Sequence, residues 1–207
     1  MKFSLIALAL AAALPLSAQA TDISYNYVEG DYASTHLYTD PGDTTLDGYK
    51  IKGSVALGNN FYGVGSYGNV SGSDIFGINA DGDLTEGTVG VGYHHAISPT
   101  ADWVSELSYV HDKISANAGT ASADVSDNGY RISTGVRAML GEQFELNGNV
   151  NYADVGDFGN GIGAGIGGVY HFNPTWGVTG AFDYANHDNN GSNEHTNTWT
   201  VGVRATF

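Results

Sequence analysis

The chain has 207 residues and a formal net charge of −15, from 7 Lys+Arg against 22 Asp+Glu. So few basic residues cannot line a phosphate backbone, which excludes a nucleic-acid partner. The absence of cysteine removes disulfide frameworks, thiol catalysis and thiolate metal sites together. The 30 glycines argue against a helical bundle, because glycine costs about 1 kcal/mol relative to alanine inside a helix.

Residues 1–20 read as a secretory signal peptide: Lys2 supplies the charged start, Leu5 to Leu16 the apolar stretch, and Ala18-Gln19-Ala20 the small-residue cleavage site. The apolar run is shorter than the ~17–25 residues of a membrane-spanning helix. No cysteine follows the cleavage position, so no lipoprotein anchor is expected. Residues 21–207 then form one exported, acidic unit.

From there the pattern is alternation with period two, bounded by turn residues, which predicts strands. In chain order there are ten: Ile23–Tyr32, Gly48–Leu57, Phe61–Val70, Thr85–His95, Trp103–Asp112, Gly129–Leu140, Phe144–Tyr152, Gly161–Phe172, Trp176–Tyr184 and Thr198–Phe207. Short connections (Gly58 to Asn60, Ala96 to Asp102, Gly141 to Gln143, Asn173 to Thr175) alternate with long polar ones (Ala33–Asp47, Ser71–Leu84, Lys113–Asn128, Ala153–Asn160, Ala185–Asn197). An even strand count with short turns at one end and long loops at the other predicts a ten-stranded antiparallel up-and-down transmembrane β-barrel of the outer-membrane type. A soluble β-sandwich also has many short strands, and the aromatic positions decide between the two.

Phe144 and Tyr152, Trp176 and Tyr184, and Trp199 and Phe207 each stand eight residues apart on one face of a strand, with apolar residues between them. At about 3.3 Å per residue and a tilt of about 40°, each pair spans roughly 20 Å of bilayer normal. Tyr49, Tyr109 and Tyr130 extend the loop-side belt; Tyr93, Trp103 and Tyr170 extend the turn-side belt. The opposite face is polar, as in Glu145, Asn147, Asn149 and Asn151, and only a closed barrel can carry such strands through hydrocarbon. In the third strand, either Phe61 and Tyr67 or Tyr62 and Val64 point outward.

The inward face is expected to hold nine charges: Lys50, Lys52, Glu86, Glu106, Arg131, Arg137, Glu145, Asp183 and Arg204. Arg137 and Glu145 lie close across the turn at Gly141 to Gln143 and should be neighbours. Ten strands lie near the eight-stranded size whose interior is just filled by side chains, so the preferred reading is a lumen plugged by ion pairs. The alternative is a narrow, porin-like diffusion channel. Gly161, Gly163, Gly165 and Gly167 face inward, leaving room for a slim path or for bulky Arg and Lys side chains from other strands.

Several segments resemble a known family: Ile23-Ser24-Tyr25-Asn26-Tyr27-Val28-Glu29-Gly30-Asp31-Tyr32, Lys52-Gly53-Ser54-Val55-Ala56-Leu57-Gly58-Asn59-Asn60-Phe61, Val89-Gly90-Val91-Gly92-Tyr93 and Gly135-Val136-Arg137. The chain is similar over nearly all of residues 21–207 to the xanthomonad outer-membrane β-barrel proteins called sulfation-dependent quorum factor or immune-activator protein. The resemblance implies a small outer-membrane barrel. The family label implies a secreted quorum-sensing or immune-eliciting factor, which is a second alternative. No catalytic residue is carried over.

Most of the remaining acids, Asp31, Asp40, Asp43, Asp74, Asp81, Asp83, Asp124, Asp127, Asp154, Asp157, Asp188 and Glu194, are placed in or beside the loops, with Lys113 as their basic companion. Such oxygen ligands suit divalent cations bridging to lipopolysaccharide phosphates, with Asn79-Ala80-Asp81-Gly82-Asp83 the best single candidate. His187-Asp188 and Glu194-His195 are loop pairs with transition-metal ligand types. His94 and His171 are expected at the periplasmic mouth. His111-Asp112 is a superficial catalytic match, but adjacent strand residues point to opposite faces and cannot form one dyad. The expectation is therefore a surface or envelope protein of the outer membrane, without enzymatic activity, cofactor or resident metal. Its partners would be membrane lipid, lipopolysaccharide and, during insertion, the barrel-assembly machinery.

Overall fold

The computed structural model describes residues 23–39, 42–73, 80–119, 121–189 and 192–207. The signal segment, Asp40, Asp74, Asn79 and the side chain of Asp188 lie outside what is described. Ten strands follow one another: β1 (Tyr27–Thr39), β2 (Gly42–Gly58), β3 (Phe61–Gly72), β4 (Asp81–Ser98), β5 (Ala101–Ala118), β6 (Ala121–Leu140), β7 (Phe144–Asp154), β8 (Asn160–His171), β9 (Trp176–Asn189) and β10 (Ser192–Thr206). Each pairs antiparallel with its chain neighbours, and β1 closes the barrel on β10 in a register running from Tyr27 opposite Thr206 to Tyr38 opposite His195.

Turn chemistry explains the periplasmic end. Gly58, Asn59 and Asn60 have φ of +88°, +52° and +67°, the left-handed backbone that tight hairpins require and that Gly and Asn tolerate best. Between β8 and β9, Asn173 Oδ1 accepts the backbone N–H of Thr175 (2.9 Å) and of Trp176 (2.8 Å), the side-chain mimic of a backbone turn. The β4–β5 connection is shorter than the expected Ala96 to Asp102. Pairing continues to Ser98 opposite Ala101, past an irregularity after Ala96, and leaves only Pro99 and Thr100 in the turn.

The long connections are mostly strand. β1–β2 pairing runs to Thr39 opposite Gly42, β5–β6 to Ala118 opposite Ala121, and β9–β10 to Asn189 opposite Ser192. The expected loops 33–47, 113–128 and 185–197 are therefore hairpins rising beyond the bilayer. Above the membrane the ladder hydrogen bonds persist, while nothing requires one face to be apolar; the alternation fades but the strand does not. Between β7 and β8 the chain instead makes a 3₁₀ turn at Gly156–Phe158.

The wall has two faces. On β3, Phe61 and Tyr67 are exposed outward and Tyr62 is buried inward. Gly92 of β4 makes room for it, since a Cβ there would lie within the Tyr62 ring. Toward the extracellular end, the interior becomes apolar in two patches. Ala33, Leu46 and Val70 pack with Leu37 and Leu84, and Val110, Ala153 and Val155 pack with Phe158. These patches invert the polar-in pattern of the membrane-level strands.

Candidate functional site

Inward-pointing charges of the barrel meet in two tiers. In the periplasmic tier, Arg137 of β6 binds Glu145 of β7 at 2.8 Å, and its Nε donates to Glu145 Oε1 at 2.9 Å. Arg204 of β10 reaches the same carboxylate at 3.2 Å and also holds Glu29 of β1, at 2.7 Å. His171 of β8 lies 3.6 Å from Glu145. Glu145 is 2% exposed and sits between two guanidinium groups, so its charge is compensated by partners rather than by water.

Tyrosines close this tier from below. Arg204 stacks over the Tyr27 ring at 4.2 Å, and Arg137 over Tyr25 at 4.7 Å. Tyr25, which precedes β1, folds into the mouth and is 5% exposed. Its hydroxyl donates to Asp102 (2.8 Å), its ring stacks on His94 at 4.1 Å, and Arg137 bonds the Ser24 carbonyl at 3.1 Å. His94 in turn lies 3.2 Å from Asp102. Tyr62 donates to Glu106 (2.9 Å), and Lys52 lies 5.8 Å from the Tyr27 ring centroid.

The second tier lies nearer the loops. Arg131 of β6 forms a two-pronged pair with Glu86 of β4. Between the tiers, Thr179 donates to the buried Asp31 at 2.6 Å. Of the nine charges expected inside, Arg137, Glu145 and Arg204 share one network, and Arg131 and Glu86 form a second. Glu106 accepts the Tyr62 hydroxyl, Lys50 faces Asp31 in the β1–β2 register, and Asp183 leans over β8.

The glycines of β8 lie against neighbouring strands, with no room for a side chain of their own. A Cβ at Gly163 would meet the Asn151 amide at 2.9 Å. At Gly165 it would meet the Asp183 carboxylate and Asn149, and at Gly167 it would meet Ala181 and Asn147. Short polar side chains of the two adjacent strands occupy that room.

Sequence reasoning missed Glu29, Asp31, Asp102 and Tyr25. Asp31, expected beside a loop, is buried in the lumen. Counting parity from the outward Tyr32 would have placed both Asp31 and Glu29 inward. Asp112 points inward with one carboxylate oxygen buried and without a hydrogen-bond partner, whereas His111 is exposed and bonds Asn128.

On the outside, Tyr49, Trp103, Tyr109, Tyr130, Phe144, Tyr152, Tyr170, Tyr184 and Trp199 are exposed, while Tyr93, Trp176 and Phe207 are half-exposed. Neighbouring rings contact each other at both ends, as in Tyr130 with Tyr152 (6.3 Å) and Phe61 with Tyr93 (5.2 Å). A cleft lined by Thr45, Asp47, Ser71, Ser73, Asp81 and Asp83 opens at the extracellular ends of β2, β3 and β4. Among the described residues no three His, Asp or Glu side chains come together as a metal site.

A family model described as outer membrane protein beta-barrel domain matches residues 6–162. The chain belongs to this family. It is thus an outer-membrane barrel protein, in contact with the lipid and lipopolysaccharide of that membrane. Its fold is similar to that of Neisserial surface protein A (TM-score 0.51, 14% identity, covering 89% of this chain and 98% of that one). It is also similar to the transport unit of the autotransporter AIDA-I from Escherichia coli (TM-score 0.51, 14% identity, 98% and 97% covered). Ail, the attachment invasion locus protein of Yersinia pestis, matches with a TM-score of 0.47 at 15% identity, covering 89% of this chain and 100% of that one. Identities this low carry the barrel architecture alone. No curated protein matches the sequence.

Proposed function

We propose that this outer-membrane barrel is a closed structural and surface component of the envelope. Its lumen is a packed core of ion pairs, and it is neither a conduit nor an enzyme. The observation that carries this reading is Glu145, buried between Arg137 and Arg204 with Tyr25 and Tyr27 stacked beneath them. The apolar patches around Leu46 and Val110 add a second obstruction at the other end. A non-catalytic role is supported at the His94–Asp102 pair, where the carboxylate is shared with the Tyr25 hydroxyl and the imidazole is covered by the Tyr25 ring.

Residues 1–20 act as a cleaved signal peptide in this reading, and the barrel-assembly machinery inserts residues 21–207. The two aromatic belts anchor the wall at the edges of the hydrocarbon. Carboxylates around the Asp47–Asp81–Asp83 cleft support diffuse screening by divalent cations at the lipopolysaccharide surface instead of a coordinated ion. Membership in the xanthomonad quorum-factor group rests on the segments quoted above, and a signalling role on that group's label.

Purified protein in planar bilayers tests the closed lumen. The expected record is a flat baseline without unitary steps; reproducible single-channel conductance of the unaltered protein would overturn the reading.

A further inference from the structure

Above the loop-side belt, the outer wall formed by the upper ends of β1, β9 and β10 carries a small cluster of rings. Tyr38 stacks on His195 at 4.3 Å and 10°, His36 lies 4.3 Å from Tyr38, and Tyr184 lies 6.0 Å from His195. All four share the strand parity of the lipid-facing Tyr32 and Trp199, so they point out of the barrel. His36 Nδ1 is engaged by the Thr45 hydroxyl at 2.8 Å, which leaves Nε2 for a ligand.

Height and charge identify the occupant. His36 stands four residues beyond Tyr32, and His195 four beyond Trp199, about 10 Å further along the bilayer normal. That puts the imidazoles at the level of lipid headgroups, continuous with the lipid-facing wall below. The outer rim elsewhere is acidic: Asp47, Asp81 and Asp83 surround the neighbouring cleft, and Asp43, opposite Tyr38 in register, bounds the cluster on the β2 side. Lys113 is paired with Asp124 at 3.4 Å, and His111, held through Nδ1 by Asn128, is a single imidazole, whereas His36 and His195 both pack against Tyr38. A phosphate travelling around this wall meets carboxylates at the cleft and two imidazoles here.

We propose that His36, Tyr38, Tyr184 and His195 form a binding site for the phosphorylated sugar headgroup of outer-leaflet lipopolysaccharide. The imidazoles donate hydrogen bonds to a phosphate oxygen, and the tyrosine rings pack against sugar C–H faces. Rings so placed combine an apolar face with a polar edge, the property that suits aromatic side chains to wet interfaces.

The test uses the full chain in phosphatidylcholine nanodiscs, titrated with bisphosphorylated hexa-acyl lipid A and followed by native mass spectrometry. Parallel titrations use phosphatidylglycerol and inorganic phosphate. Lipid A should bind more tightly than phosphatidylglycerol. The double variant His36→Ala/His195→Ala should bind it roughly tenfold more weakly, equivalent to about 1.4 kcal/mol, and Tyr38→Ala should lose affinity in the same direction. Lys113→Ala should bind as the unaltered chain does. Faster migration of unheated than of boiled samples verifies that each variant is folded. Equal lipid A affinity in the folded double variant overturns the site, and so does equal retention of phosphatidylglycerol. Displacement of lipid A by inorganic phosphate at comparable concentration would overturn the lipid headgroup as the occupant.

Discussion

Glu145 has three candidate donors around it, supplied by β6, β8 and β10, and none of them is solvent. Removing its charge would leave Arg204 with Glu29 and Arg137 with the Ser24 carbonyl as its hydrogen-bond partner. A buried pair broken from one side costs about 3–5 kcal/mol, because the abandoned charge stays desolvated. Glu145→Gln should therefore lower the urea unfolding midpoint in lipid vesicles by an amount of that order. Lys113→Ala, which breaks an exposed pair with Asp124, should change stability by less than about 1 kcal/mol. An equal effect of the two substitutions would contradict the claim that the lumen network holds the barrel. The Arg137–Glu145 half of this network was legible in the sequence, since a three-residue turn fixes which positions meet across it. Arg204 was placed inward, but its pairing with Glu29 was not legible, because their approach depends on the closure of β10 onto β1, a contact between the two ends of the chain.

At the scale of elements, the extracellular hairpins show where pattern reading loses its signal. Period-two alternation reports lipid on one side and lumen on the other, so it identified strands only where they cross the membrane. Beyond Tyr130, β6 continues through polar residues to Ala121 with its ladder intact. Asp127, beyond the belt, ties this hairpin to the 3₁₀ turn by accepting the backbone N–H of Asp157 (2.6 Å) and of Asn128 (2.7 Å). These hydrogen bonds, the one from Asp157 foremost, hold its carboxyl below the usual value. A carboxyl with a lowered folded-state pKa stabilises the fold above its unfolded value, near pH 4, and loses that contribution as pH falls through the folded value. Amide exchange at Asn128 and Asp157 should thus show protection that is level from neutrality to about pH 4 and declines below it. Asp127→Asn, which cannot ionise, should show weaker protection without that decline; protection independent of acid in the unaltered chain would sink the clamp.

At the scale of the whole molecule, the interior carries two groups of packed side chains of unlike chemistry. The periplasmic end holds charge and tyrosine, with Tyr25 and Arg137 at its base, while the loop end is lined by Leu37, Leu46, Val70 and Leu84 on one side and Val110 with Phe158 on the other. Parity and strand count made inward ion pairs such as Arg137–Glu145 legible, but the apolar end was hidden because inward leucines among polar neighbours read like outward ones with the register reversed. The proposed closed barrel makes the two groups seals in series, so opening one should not open the barrel. Tyr25→Ala/Arg137→Ala should remain non-conducting in planar bilayers, as should Leu46→Gly/Leu84→Gly. A variant carrying all four substitutions should show small unitary currents, provided its unheated mobility shift reports a folded barrel. Conductance from either double variant alone would mean that the other end is already open to ions, and that the lumen is a gated path instead of a core.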